Sequence, residues 1–416
     1  MEDPITPPEV PDATDAIPDP IADAAPSAPP VIDTENTRLA DGLNRCPKCG
    51  STDIQLRVST GMLVCLFCRH EWTEDSIEPL VSQTALDDLE GTIIGSGATD
   101  IDATAAGVLT MKCAGCGSEV VVNTAEATSS RCHWCRHVLT VNEQVPNGAV
   151  PDAVLPFGIS REDALAKIRA FAGKRRLFAH RRFIKEFVPE NVVGAYLPYM
   201  VIDGKVSAEL HGQGEVLIRR YTRGTGDNKE TYYDADVYQV ERALHFTVDD
   251  LTMESAADRA DLNTLVNTNN VINTILPFDT EKAVRWNANY LAGFTSERRN
   301  QDVAAMVPQL EHQLLSIARS QAAASVANYN RGVRWEAEGL DVHGTRWVSM
   351  YLPVWLYSYY QADGKKQGMV HYIAVNGRTG ETMGSVPVSQ ARLLTAAIAV
   401  GSVLEAVALA VVAVAL

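Results

Sequence analysis

The first 37 residues contain no lysine or arginine, although nine Asp or Glu and nine of the chain's 20 prolines fall there. A segment with so little apolar surface cannot offset the entropy of ordering, which predicts a disordered acidic tail over residues 1–38. Its start, MEDPITPPEV, lacks the basic and apolar regions of an export signal, so the cytoplasm is the expected compartment. Across all 416 residues, 52 acidic side chains face 36 basic ones, and a formal charge of −16 argues against a protein that coats nucleic acid. Enzyme signatures are missing too: there is no G-x-x-x-x-G-K-[ST], no H-E-x-x-H and no G-x-S-x-G. His211 and His343, each before a glycine, have no carboxylate or nucleophile at motif spacing, so no catalytic residue is assigned.

Cysteine is absent everywhere except in two short segments. CPKCGSTDIQLRVSTGMLVCLFCRH begins at Cys46 and CAGCGSEVVVNTAEATSSRCHWCRH at Cys113; each reads C-x2-C, fifteen residues, C-x2-C, and each ends in Cys-Arg-His. In a reducing compartment, eight cysteines in four such pairs favour metal over disulfides. Zn²⁺ takes four tetrahedral thiolates at about 2.3 Å, and a C-x2-C turn offers two from one tight knuckle. Cys46, Cys49, Cys65 and Cys68 are therefore assigned to one zinc, and Cys113, Cys116, Cys132 and Cys135 to a second. Gly50 and Gly117 suit the knuckle turns, and DIQLRV, GMLVCLF and EVVVN read as the short strands between. The competing reading, a thioredoxin-like redox pair, wants one C-x-x-C beside a βαβ unit. His70 and His137 each stand two residues past the last cysteine and are alternative ligands, His133 a weaker one, but four sulfurs already complete each shell. A closed shell has no position for water, so both zincs are expected to be structural.

The ribbons are poor candidates for binding phosphate. Asp41 to Trp72 holds four basic and three acidic residues, Lys112 to Val145 three of each, and Glu71 to Met111 nine acids with no Lys or Arg. A four-thiolate zinc adds about −2 to each ribbon.

Beyond Pro146 the texture changes to long apolar and aromatic runs, and an α+β fold with antiparallel sheet is expected. VLPFGISREDA from Val154 is echoed by ILPFDTEKA from Ile275, and AYLPYM from Ala195 by MYLPVW from Met350. The echoes suggest two diverged copies of one unit, or chance, since the runs are short. Leu-Pro-Phe before a hydroxyl and acids predicts helix entry, with helices over about 160–187 and about 297–330, the latter interrupted at Pro308. VLIRRYT, TYYDADVYQVER and HYIAVNGRTGETMG read as strands, with Asn376-Gly377 a turn. Gly173 to Phe187 concentrates six Lys or Arg. It reads as a solvated helix face, a contact for anionic lipid head groups, or, third, a nucleic-acid contact. From Leu393 to Leu416 run twelve Leu, Ile or Val, eight Ala and the single charge Glu405, which predicts a transmembrane helix with the N-terminal bulk cytoplasmic, or else a buried or oligomerising helix.

The expected organisation is an acidic tail over 1–38, zinc ribbons over 39–73 and 111–146 around an acidic linker at 74–110, an α+β domain over 147–388, and a membrane helix over 389–416. Taken together, the C-x2-C-G-S ribbons, ILPFD, NYLAGFTSER from Asn289, YLPVWLYSY and IAVNGRTGE resemble a family of bacterial membrane-anchored proteins with zinc ribbons of the transcription-factor-IIB type, often labelled primosomal protein N-prime-like or helicase-like. The resemblance runs from about Cys46 to the terminal helix. It implies zinc binding by the eight cysteines, no established catalysis, and a protein partner at the membrane of the phage-shock or flotillin-like kind. The helicase label finds no nucleotide loop here. The leading expectation is a tail-anchored adaptor or scaffold that presents a cytosolic protein-binding surface in a membrane-stress response, and the sequence identifies no small-molecule substrate. The alternative is a nucleic-acid-associated ribbon protein of transcription or replication.

Overall fold

The computed structural model describes residues 28–36, 44–102, 108–112, 119–123, 129–131, 138–140, 148–224, 229–256, 273–297, 299–363 and 366–415. The first cysteine segment folds as a small antiparallel sheet: β1 (Ile54–Arg57) pairs with β2 (Met62–Cys65), which pairs with β3 (Glu71–Trp72). Strand β1 alternates buried Ile54 and Leu56 with exposed Gln55 and Arg57, the period-2 pattern of a strand with one wet face. Ile54, Leu56 and Leu63 are buried in the same cluster as Trp286, Tyr290 and Tyr351 of the larger body. This ribbon is docked, not suspended.

The larger body is built on three long strands: β5 (Val192–Arg223), β6 (Glu230–Glu254) and β7 (Val333–Asp363). Strand β5 lies antiparallel between the other two. β8 (Lys366–Asn376) continues the sheet on the far side of β7. Between Val206 and Leu210, strand β5 alternates inward Val206, Ala208 and Leu210 with outward Ser207 and Glu209, as such a strand must. Helix α3 (Val303–Ala322) covers that face with Met306, Leu310, Leu314, Ala318 and Ala322, which are buried at the every-fourth-residue spacing of a helical stripe. At the other end, Phe157 sits among Tyr196, Phe294 and Trp355 with ring centroids 5.0, 4.5 and 4.9 Å away. Each such pair adds about 0.5–1.5 kcal/mol beyond area burial. The α+β class is as expected.

The two Tyr-Leu-Pro runs are direct neighbours at the sheet centre, with Leu197 opposite Leu352, Tyr196 opposite Pro353 and Pro198 opposite Tyr351. Asn376 occupies the expected turn. Its Nδ2 donates to the carbonyls of Ile275 and Pro277 at 3.0 Å each, and its Oδ1 accepts from the N–H groups of Arg378 and Thr379. One side chain thus ties the turn to the ILPF loop.

Several expectations need correction. Residues 74–110 are not a linker where they are described: Ile77, Val81, Leu89 and Ile94 are buried, and β4 (Gly91–Gly95) joins the sheet parallel to Gly344–Trp347 of β7. Its many acids concealed apolar residues at core spacing. The end of the acidic tail is also recruited, since Val31–Ile32 pairs with β4 and Thr34 and Asn36 are buried. Residues 1–27 lie outside the described part. The first long helix is two pieces, α1 (Arg161–Lys174) and α2 (Arg181–Lys185). Between them the chain is drawn off the helical path, His180 N donating to Pro387 O at 2.7 Å. Ser160 caps α1 by accepting from the Asp163 N–H at 3.1 Å. Conversely, α3 runs through Pro308 without interruption.

The terminal residues do form a helix, α4 (Gln390–Ala415). Among the described residues, however, no helix is long and apolar enough to cross a membrane. That corrects the expected single-pass anchor over 389–416 with cytoplasmic bulk. The start of α4 is polar and tied to the body: Arg392 donates to the carbonyls of Arg176, Leu177 and Ala179. Glu405 lies within the helix, and a carboxylate at such a position opposes insertion by about 3 kcal/mol.

Candidate metal centre

The two knuckles of the first cysteine segment repeat one hydrogen-bond pattern. Gly50 N donates to Cys46 O and Arg69 N to Cys65 O, both at 2.9 Å; Cys46 N donates to Ser51 O at 2.8 Å and Cys65 N to His70 O at 2.9 Å. The residue after each second cysteine is left-handed, Gly50 with φ 73° and Arg69 with φ 61°. These matched turns bring four sulfurs together from residues up to 22 positions apart.

All four Sγ atoms lie within 4.8 Å of one another. Cys46 and Cys68 are 3.6 Å apart, as are Cys49 and Cys65. Sulfurs at the corners of a zinc tetrahedron with bonds of about 2.3 Å stand about 3.8 Å from each other. A disulfide needs about 2.05 Å, and the four are free thiols. The donor set and spacing fit one Zn²⁺ held by Cys46, Cys49, Cys65 and Cys68. Without a cation, one thiolate in the group is favoured at the expense of another. Burial works against charge on Cys65, but the backbone N–H groups of Cys68 and Phe67 and the neighbouring thiols outweigh it, lowering the thiol to about 6. At Cys49 the Ser51 backbone favours the thiolate, yet partial burial and the other three thiols push it up to about 12. A divalent ion removes that conflict by stabilising all four thiolates at once.

Four thiolates around one ion leave no position for substrate, so the centre can order the ribbon but cannot activate water. The His70 ring stacks on Trp72 at 5.8 Å and 14°, outside the sulfur group. Cys113, Cys116, Cys132 and Cys135 lie outside the described residues, as do His133, His137 and Gly117. The strands that flank them are described: Val108–Lys112 pairs with Glu119–Asn123 and Ser129–Arg131 with Val138–Thr140, so each C-x2-C falls between the two strands of a hairpin. A second zinc site is not shown.

No family model matches the chain. No solved structure matches it either. Uncharacterized protein YdjG of Bacillus subtilis (strain 168) is 23% identical over 244 residues, which are 58% of this chain and 65% of the relative. The chain thus spans just under two thirds of that relative's length.

Two polar groups had no signal in the sequence. Asp203, within β5, gathers with Asp249 and Asp250 near the end of β6, but buried Asp203 is already engaged by the Arg346 guanidinium, Nε at 2.8 Å. This is an ion pair with acidic neighbours. On the exposed sheet face, the Ser207 hydroxyl lies 2.8 Å from His245 Nδ1 and 2.5 Å from His343 Nε2. The three come from adjacent strands, a juxtaposition that register creates and spacing along the chain conceals.

Proposed function

We propose that the protein is a non-catalytic adaptor whose zinc-ordered ribbon presents a protein-binding knuckle. The observation that supports this most is Phe67, between the ligand cysteines Cys65 and Cys68, with 80% of its surface exposed beside Leu66, 36% exposed. A rigid turn that holds an aromatic ring in water is an anchor awaiting a pocket, since aromatic side chains supply much of the energy of protein interfaces. The similarity to zinc ribbons of the transcription-factor-IIB type supports the same role.

Phosphate binding is the weaker reading. Arg57, one of the ribbon's few cations, is paired with Glu71, and the metal centre adds negative charge. The test is capture of cellular proteins by the zinc-loaded chain and by Phe67→Asp, with metal content measured in both. Capture should fall at least about tenfold at unchanged zinc, the loss expected for one buried anchor. Undiminished capture, or retention of nucleic acid that weakens with salt, overturns the adaptor reading.

A further inference from the structure

Sheet register makes the Ser207 hydroxyl a meeting point of three strands. On β5, Ser207 is paired directly with His245 of β6 and with Asp341 of β7. The register then slips: Val206 lies opposite Val342 but Lys205 lies opposite Gly344, so β7 carries one extra residue, His343. A bulge of this kind re-aims a side chain. Here it brings the His343 ring to the face that already holds Ser207 and Asp341. Packing fixes the bulge, because a Cβ on Gly344 would collide with the Leu89 carbonyl and the Glu90 nitrogen. Lys205 holds the same segment, its Nζ donating to Asp87 O at 2.6 Å.

Two imidazole nitrogens therefore converge on one oxygen, His343 Nε2 at 2.5 Å and His245 Nδ1 at 2.8 Å. Behind the first ring, Asp341 Oδ2 stands 3.6 Å from His343 Nδ1. A carboxylate on the far nitrogen favours the proton there and leaves Nε2 with its lone pair free, which is how metal-binding histidines are oriented.

We infer that His245 and His343 form a site for a divalent transition-metal ion, separate from the four-cysteine centre, with Ser207 Oγ marking where the ion sits. Bonds of about 2.0–2.1 Å are reached by a small inward turn of each ring as the serine rotates to another rotamer. Paired imidazoles suit Cu²⁺, Ni²⁺ and Zn²⁺. Two protein ligands leave at least two positions of such an ion open, and the site opens onto a pocket of about 400 Å³ whose lining includes Asp87, Lys205 and Thr247. The ribbon's four-thiolate shell is closed, whereas this site can exchange its ion and accept an outside ligand.

The test uses the zinc-loaded full chain with Ni²⁺ as the probe, followed by calorimetry, with zinc content measured by mass spectrometry. One Ni²⁺ should bind per chain without release of zinc. His245→Ala and His343→Ala should each weaken binding at least about tenfold, the lower bound even for a residue that only supports a ligand. Asp341→Asn, which removes a supporting group and no ligand, should weaken it by a smaller factor. His211, four residues along β5 and flanked by Glu209 and Glu241, is the internal control; His211→Ala should leave binding as it was, and so should Ser207→Ala. A readout that needs no substitution guards against damaged folds: paramagnetic Ni²⁺ should broaden the ring resonances of His245 and His343 in the parent chain before those of any other histidine. Displacement of zinc by Ni²⁺, broadening centred on other histidines, or equal affinity in the variant that lacks both rings would overturn the inference.

Discussion

Gly50 and Arg69 occupy the same place in the two knuckles, each directly after a second cysteine, and both are left-handed, with φ of 73° and 61°. Only one of them is the residue that this conformation favours. A Cβ on Gly50 would meet nothing within 4 Å, so Gly50→Ala isolates the conformational term. It should cost about 1 kcal/mol, or about a fivefold loss of zinc affinity in chelator competition, because folding here depends on the metal. Arg69→Gly should leave affinity unchanged or raise it. Equal losses from both substitutions would mean that the arginine side chain, not its backbone, matters.

Zinc removal should disturb more than the ribbon. Ile54, Leu56 and Leu63 are buried in the core cluster that includes Trp286 and Tyr290, and at about 1.5–3 kcal/mol each their burial contributes at most about 9 kcal/mol. Cys65→Ser should abolish metal binding at this centre in native mass spectrometry. It should also lower the thermal midpoint of the whole α+β body and change tryptophan fluorescence. A body that melts unchanged would show the docking to be energetically idle.

What was legible in the sequence follows from the range of each signal. The sulfur group is fixed by a local turn repeated at short separation, so Cys46, Cys49, Cys65 and Cys68 could be assigned from spacing alone. Asn376 and Ser160 were likewise local, one a turn residue and one a helix cap. The misreadings arose where tertiary contacts decide. Ile77, Leu89 and Ile94 look incidental in an acidic stretch until strand β7 offers Gly91–Gly95 a partner. The break between α1 and α2 depends on a hydrogen bond from His180 to Pro387, two hundred residues on, about which helix propensity is silent.

Asp250 should make stability fall as pH rises. Burial holds its carboxyl up at about 6 from 3.8, with Thr280 opposing the shift and Asp203, Asp249 and Glu78 adding to it. Between those pH values the unfolded chain ionises while the folded one stays protonated, so the folded state loses ground through that window and the deficit is complete above it. Its φ of 52° is also better suited to Asn. Asp250→Asn, which keeps an acceptor for the Thr280 hydroxyl, should therefore stabilise the protein at pH 7 by about 1 kcal/mol, after discounting for solvent screening. The pH-dependent part of that gain should vanish in melts below about pH 4, and a gain constant with pH would assign the effect to the backbone alone.

Asp203 and Arg346 form the most buried ion pair among the described residues, their side chains 9% and 4% exposed. The arrangement is saturated: Arg346 also donates to Thr84 O at 3.0 Å, and Asp203 accepts from the Asp250 N–H at 2.9 Å. Removing one partner leaves the other charge buried without compensation, so Asp203→Asn or Arg346→Met should each cost about 3–5 kcal/mol in urea unfolding. Losing both charges removes the desolvation penalty along with the attraction. The double variant should be less destabilised than the sum of the singles by at least about 1–2 kcal/mol. Strict additivity would show that water or a nearby group already neutralises each charge, and that the pair does not hold the middle of β5 against β7.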